Sequence, residues 1–318
     1  MKVSVTIITY NQKNFIGKAI DSALMQETTF PVEILVGDDC STDGTRDIIR
    51  DYETRYPGRV IGVLHERNLG KNGGINCLET LKRTKGEYWA IMDGDDYWTD
   101  PLKLQKETDY LDAHPDCSMV FHNARVTFED GSPSYLLNGT DMKPFYTVDD
   151  LIGEQEIWFM ATSSQMYRNV IPEYPAWFRE SSSGDIPRLI LKAKLGNIGY
   201  IPDVMSVYRK NRGGASYHDN ERDAGFLRNR IEMYSNINRE LGFKYNRTMT
   251  KNIARYYRMM LDAKQYENRY VERVRLAVKY LNMAQPGWNV AKDVIRDYIL
   301  PAPLVKLYST IRLLPHKN

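Results

Sequence analysis

Cysteine is scarce in this 318-residue chain: there are three, Cys40, Cys77 and Cys117, far apart and without a C-x-x-C pair. An odd, scattered set argues against a disulfide scaffold or a structural zinc site and fits a reducing compartment. Long apolar runs are also missing, and nothing approaches the roughly 18 residues of a membrane span. The opening MKVSVTIITYNQ holds an apolar stretch too short for the core of a secretory signal, so a cytoplasmic protein is expected. No G-x-G-x-x-G follows the first apolar run, which argues against a nicotinamide or flavin dinucleotide site. Lys71 lacks the Ser or Thr of a Walker A loop. Repeats and low-complexity tracts are absent, and a composition of 42% hydrophobic and 26% charged residues argues against disorder.

The net charge is only +2, but its sign is unevenly spread. Residues 206–281 hold 17 Lys and Arg against 8 Asp and Glu, and residues 282–318 hold 5 against 2. The remainder is acidic, 21 against 31, so two functional regions are expected, divided at 216/217. Tyrosines interleave the basic part. Nucleic-acid binding uses such a pattern, but helical spacing, with a core face and a solvated face, explains it more simply.

The first 110 residues alternate strand and helix patterns. VSVTIIT (3–9), VEILVG (32–37), RVIGVLH (59–65) and EYWAIM (87–92) read as strands. Each is followed by a stretch of helical periodicity, the last one opened by Asp100 and Pro101. Four such units predict an α/β fold with a doubly wound, mostly parallel sheet. Ligands then lie beyond the carboxyl ends of the strands, where the polar clusters TYN, DDCSTDGT, ERNLGKNGG and DGDD fall. Residues 115–210 read as further strands with a helix over DIPRLILKAKLG closed by Gly196. From about 220 the chain reads as helices broken near Gly242, near Tyr266, at Pro286-Gly287 and at Pro301.

Among these clusters, Asp93, Asp95 and Asp96 crowd a turn straight after a strand. A D-x-D there suits a hard divalent cation, which takes one or two carboxylates and leaves its other positions to water and phosphate. The plainer alternative is a solvated acidic turn, weakened because Asp100 already supplies the helix cap. The spacing Asp39, Ser41, Asp43, Gly44 imitates a calcium loop, but Arg50 stands where a bidentate Glu is required, so calcium is rejected and Asp43 reads as a helix cap. Asp38 and Asp39 at a strand end can accept from a nucleobase N–H, beside the aromatic face of Tyr10 and the polar Thr9 and Asn11. Arg67 or Lys71, with amides at a helix start, can face a diphosphate.

Taken together, VSVTIITYNQKNFIGKAIDSALMQ, VEILVGDDCSTDGT, NLGKNGGINCLETLKRTKGEYWAIMDGDDYW and GDIPRLILKAKLGNIGYIPDVMSVYR resemble the family 2 glycosyltransferases of the A-type nucleotide-sugar fold, over residues 3 to about 216. The resemblance implies inverting transfer of a sugar from a nucleoside diphosphate sugar, usually UDP-linked, to a hydroxyl acceptor, with Mn2+ or Mg2+. By it, Tyr10 stacks the base with Thr9 and Asn11 beside it, Asp39 reads the uracil, and Asp93, Lys71 and Arg209 serve the donor. Asp95 or Asp96 holds the metal, and Asp185 is the general base that takes the acceptor proton; from spacing alone, Asp185 equally suits a helix cap. Trp158, His122 and Arg168 fall where acceptor-side residues lie, though His122 also suits the core. Two departures stand out. Asn211 occupies the place of a common histidine, and Gly184 replaces the first acid of a paired motif.

A glycan or lipid-linked acceptor, in surface polysaccharide synthesis, fits that reading. The basic helical end, with Lys306, Arg312 and Lys317, allows peripheral contact with the inner face of a membrane. A pyrophosphorylase lacks its Gly-rich loop here. A non-catalytic nucleotide- or glycan-binding protein on the same fold is supported only by the absent histidine. Asn138-Gly139-Thr140 and Asn246-Arg247-Thr248 match the glycosylation sequon, which is uninformative in a cytoplasmic protein.

Overall fold

The computed structural model describes residues 1–70, 73–155, 157–170, 174–211, 223–301 and 303. Its chain divides into two units, Met1–Leu151 with Ile157–Asp219, and Ile152–Glu156 with Asn220–Asn318. The short segment 152–156 thus joins the second unit, an excursion that the division at 216/217 does not contain.

In the first unit the strands are β1 (Val3–Thr9), β2 (Val32–Asp38), β3 (Val60–Leu64), β4 (Tyr88–Asp93), β5 (Tyr97–Trp98), β6 (Cys117–Phe128), β7 (Tyr135–Leu136), β8 (Phe145–Tyr146), β9 (Gln165–Arg168) and β10 (Asn197–Lys210). Its helices are α1 (Ile16–Leu24), α2 (Thr45–Arg55), α3 (Gly74–Leu81), α4 (Lys103–Ala113), α5 (Val148–Leu151) and α6 (Asp185–Ala193). Among the described residues one sheet runs β3-β2-β1-β4-β9-β6-β10-β5, with β7 on β6 and β8 on β10. The first four strands are parallel, and β6 and β10 are parallel to each other. The short β9 is antiparallel to both β4 and β6 and joins the two halves.

Both faces of the sheet are covered, so β1 is buried along its whole length although its sequence alternates Val3, Val5 and Ile7 with the hydroxyl residues Ser4 and Thr6. On one face Val5, Ile7, Ala90 and Met92 pack with Ile16 and Ile20 of α1 and Leu104 and Leu111 of α4. On the other, Ile8, Trp89, Met119, Phe121 and Tyr167 pack with Leu81 of α3 and Leu189 of α6. The chain starts at β1, goes to β2 and β3 on one side, and returns to β4 on the other. The carboxyl ends of β1 and β4 therefore flank the switch point, the ligand crevice of open α/β sheets.

Two expectations of local chemistry shift. Asp100 accepts the N–H of Leu102 at 2.8 Å, but the regular helix begins two residues after Pro101, at Lys103. Gly196 does not close α6 in a left-handed turn. The helix ends at Ala193, and Gly196 is needed because a Cβ there would lie 2.6 Å from the Asp116 carbonyl oxygen.

The second unit contains α7 (Ala224–Glu240), α8 (Asn246–Leu261), α9 (Tyr270–Ala284) and α10 (Trp288–Val294). Asp223 caps α7 by accepting from the Phe226 N–H at 2.7 Å. The break at Gly242 uses a left-handed φ of 59°, and Ile237, Tyr234, Ile253 and Tyr256 form part of its buried interior. In α10, Val294 is buried while Val290 is exposed. Lys306, Arg312 and Lys317 lie outside the described residues.

Candidate functional site

The site is built at the carboxyl ends of β1, β2 and β4. The Thr9 carbonyl accepts the Asp39 N–H at 3.0 Å, which ties the ends of β1 and β2 together. Thr9 itself is buried, its hydroxyl donating to Gln12 Oε1 at 2.8 Å. Tyr10 stands 49% exposed just beyond the strand, an open aromatic face. Asn11 takes a left-handed φ of 51°, and its backbone N–H and side-chain Oδ1 both serve the scaffold. Its N–H donates to Ser41 Oγ, and its Oδ1 accepts the Thr42 N–H, each at 2.8 Å. Asp39 Oδ1 accepts the Leu69 N–H at 2.7 Å, fixing the loop that leads to α3. Asp43 is not the cap of α2, whose N-cap is Gly44; it stands one residue earlier and accepts from the Thr45 N–H at 3.0 Å, holding the turn that leads into the helix. Lys71 lies outside the described residues.

Across the switch point, the Gly94 N–H donates to the Ile8 carbonyl at 2.8 Å. A Cβ at Gly94 would meet Gln12 Oε1 at 2.6 Å and Thr9 Oγ1 at 2.8 Å, so the middle residue of this D-x-D has to be glycine. The turn is thereby pressed onto β1, with Asp95 8% exposed, Asp96 fully buried and Asp93 partly buried. Asp96 Oδ1 accepts the Arg209 backbone N–H and Asp95 Oδ2 accepts from Asn211 Nδ2, at 2.8 and 2.7 Å. The end of β10 is thus fastened to the acidic turn. Asn211 therefore meets the D-x-D directly through an amide donor.

Burial, then the neighbouring Asp95 charge, pushes Asp93 up to about 7; Arg188 and Thr162 pull it back, and Asp185 adds to the rise. Asp96 is raised well above the usual carboxylate range by burial and by both neighbouring acids. Asp95 is raised by burial and partly relieved by Asn211, Arg209 and Gln12. Three acids crowded in this state resist ionising together, with only Arg188 and Arg209 among the cations relieving them, and Asp96 Oδ2 is buried with no hydrogen-bond partner. Such a donor set fits a hard divalent cation. Among the described residues, however, no three His, Cys, Asp or Glu side chains converge on one point. A cation here would take one or two carboxylates from the protein and the rest of its oxygens from phosphate and water.

Arg209 faces this cluster. Its guanidinium lies 4.9 Å from the Phe15 ring centre and 4.8 Å from that of Tyr97, and its Nε and Nη2 are buried without partners. A guanidinium held between two rings with unused N–H groups is set to receive an anion. Asp185 is the first residue of α6, with Oδ1 accepting from the Ser183 hydroxyl and from the Ile186 N–H. The amino ends of α3 and α6 meet there, since a Cβ on Gly184 would lie 3.4 Å from the Gly74 Cα. One turn on, Arg188 is nearly fully buried, bonded to the Tyr167 hydroxyl at 3.3 Å. The sequence reading missed Gln12, Thr162 and Arg188. Only Arg188 carried a signal, its i, i+3 spacing from Asp185.

The acceptor-side expectations divide. Arg168 is a framework residue that donates to the carbonyls of Cys117, Leu111 and His114. His122 is fully buried, with Nδ1 paired to the Asn123 carbonyl at 2.7 Å, and burial then Lys103 push it down to about 3. It faces Lys103 and Glu107 of α4, an ion pair of 2.8 Å that is itself fully buried. Trp158 is 37% exposed and lies against Tyr208, 5.5 Å between ring centres.

Against known proteins, the model of Glycosyl transferase family 2 matches residues 4–172, just over half of the chain. The chain belongs to this family. An uncharacterised protein of Mycobacterium tuberculosis is 37% identical over 221 residues, which span 67% of this chain and 60% of that one. The putative teichuronic acid biosynthesis glycosyltransferase TuaG of Bacillus subtilis is 35% identical over 131 residues, 41% of this chain and 50% of its own. Among solved structures, S. aureus TarS 1-349 in complex with UDP-GlcNAc superposes with a TM-score of 0.59 at 18% identity, covering 89% of this chain and 82% of that chain. That likeness shows the fold: a glycosyltransferase A-type sheet followed by a helical region. Among the described residues no helix is long and apolar enough to cross a membrane.

Proposed function

We propose that the protein transfers a sugar, with inversion, from a nucleoside diphosphate sugar to a hydroxyl of a glycan or lipid-linked acceptor in the synthesis of a surface polysaccharide. The observation that carries this reading is the crowded acidic turn facing the Arg209 guanidinium, whose Nε and Nη2 lack partners, at the switch point of the sheet. One group attracts a cation and the other an anion, and a metal-bound diphosphate is both. UDP is the favoured nucleotide, as in the TarS complex. Tyr10 offers the stacking face for the base and Asp39 an acceptor for its N–H. Asp95 is the favoured metal ligand, because Asp96 is fully buried and holds the Arg209 backbone. Bound Mn2+ or Mg2+ would neutralise charge on the leaving diphosphate.

Arg209 holds the diphosphate, and Asp93 stands at the donor-sugar side of the turn. Asp185 removes the acceptor hydroxyl proton as the new bond forms on the face opposite the leaving group. The basic second unit suits an anionic membrane surface, where a lipid-linked acceptor would be found. The test is a thermal-shift screen of nucleotide sugars with and without Mn2+. UDP-sugars should raise the melting temperature with Mn2+ and much less without it, and Asp95→Ala should lose that dependence. Intact donor turnover in both Asp95→Ala and Asp185→Asn would overturn these roles.

A further inference from the structure

Two buried cations of the first unit are used up by its frame. Arg168 gives its donors to three carbonyls, and Lys192 donates to the carbonyls of Arg168 and Val170 at 3.3 and 2.7 Å. Arg188 is different. It is only 5% exposed, yet its hydrogen bonds among the described residues are long ones to neutral groups. Nε donates to the Tyr167 hydroxyl at 3.3 Å and Nη1 to Cys77 Sγ at 3.8 Å. Nη2 has no hydrogen-bond partner and is not sealed from solvent. A guanidinium presents five N–H donors in a fixed fork, and burying it with part of that fork idle costs free energy that packing alone does not return.

Its place in the fold says what the idle part meets. Strand alternation puts Trp89, Ile91 and Asp93 on one face of β4, the face that packs against α3 and α6. The Arg188 guanidinium lies on that face, 5.8 Å from the Trp89 ring centre. Its Nη1 would be 4.0 Å from a Cβ on Gly184, where the amino ends of α3 and α6 meet. Gly74 and Gly184 carry no side chain over it, so the ground above the guanidinium is bare backbone. The Arg188 charge reaches Asp93, and so does that of Asp185. Arg209 relieves Asp95 in the same way, so each of these two acids of the turn has its own guanidinium.

We infer that Arg188 and Asp93 act together to read two adjacent hydroxyls of the transferred sugar, the arginine donating from Nη2 to one oxygen and Asp93 accepting the O–H of its neighbour. A vicinal diol is the group that such a donor and acceptor fit, since every hydroxyl both gives and takes a hydrogen bond. A uronate is the poorer occupant, because its carboxylate would join those of Asp93 and Asp185. The substrate class is therefore a neutral hexose with that diol free. This rests on the transferase reading, in which Asp93 stands at the donor-sugar side, and it makes Arg188 a specificity-determining residue of that reaction.

The test is calorimetry of the full chain with Mn2+, measuring UDP, UDP-glucose and UDP-galactose on the wild type and on Arg188→Met. The variant should bind the UDP-hexose about 10–100-fold more weakly, the scale of a hydrogen bond from a charged donor, and should bind UDP as the wild type does. An arginine that only supports the fold would weaken UDP and UDP-hexose alike, and that result overturns the inference, as does an unchanged Kd for both. If Arg188→Met fails to fold, the wild type decides with 2-, 3- and 4-deoxy UDP-hexoses. Two neighbouring positions should each cost about tenfold. A loss at one position alone, or at none, overturns the diol, and so does UDP-glucuronate binding more tightly than either hexose. UDP bound without either UDP-hexose sinks this inference and spares the nucleotide site. No binding of UDP with Mn2+ sinks the UDP-donor reading itself.

Discussion

Two clusters of buried ionisable groups sit close together in the first unit, and they are built on opposite plans. Lys103, Glu107 and His122 form one. It carries both signs, it is closed to solvent, and Lys103 lies 4.0 Å from the centre of the Trp98 ring. Asp93, Asp95 and Asp96 form the other, with one sign only and with an opening toward Arg209. Trp98 joins them, donating from Nε1 to the carbonyl of Ser163 at 2.8 Å, and Ser163 in turn eases the rise that burial imposes on Asp96. A cluster that balances its own charge is scaffold. One that leaves charge unbalanced in a crevice needs something from outside the chain.

The comparison is broken most directly at the reacting edge. Asp185→Asn should lower transfer turnover by about 10²–10⁴-fold while the donor-induced melting shift remains, as measured by product formation beside thermal shift. If turnover survives, the acceptor proton leaves by another route. In the balanced cluster, Lys103→Ala should destabilise the fold by about 3 kcal/mol in urea unfolding, because it strands the Glu107 carboxyl. Replacing the pair together, Lys103→Met with Glu107→Leu, should recover most of that loss. No such apolar rescue exists for the acidic turn, whose purpose is its charge.

Arg209→Met comes next, with a donor affinity about tenfold weaker by calorimetry and the fold intact, since one charged contact is removed. The smallest effect sharpens the contrast through pH. The unfolded chain carries the ordinary histidine value of 6.5, whereas folded His122 titrates at about 3. Between those values the unfolded state binds more protons, so stability from His122 is present above pH 6.5 and is lost as pH falls toward 3. Wild type minus His122→Gln should therefore show a slope of up to about 1.4 kcal/mol per pH unit in that window. Glu107, which burial pushes up to about 7, acts with the opposite sign, and taking the difference between the two proteins isolates His122.

What could be read in advance follows the same division. Strands β1 to β4 and their helices were legible because each buries a run of fixed period, and the acidic turn was legible because charge after an apolar strand is conspicuous. The antiparallel β9 was not. TSSQMYR reads as one strand, yet Thr162–Ser164 form a 3-10 turn and only Gln165–Arg168 pair, on both sides at once. Lys103, Glu107 and Arg188 were also hidden. Charged residues on helices read as solvent-facing, and only tertiary packing turned these inward. Arg168 and His122 fell in a suggestive stretch of chain, but strand alternation and backbone carbonyls claimed them for the frame.

Strand β10 has one more consequence. It bulges at Pro202-Asp203, and its far end carries Arg209 and is fastened to Asp96. From Val204 to Arg209 an extended strand advances about 17 Å, at roughly 3.3 Å per residue. Strands do not stretch, and this one is paired to β6 over most of its length. It therefore serves as a ruler: whatever meets the chain at the bulge is held at a fixed distance from whatever meets Arg209.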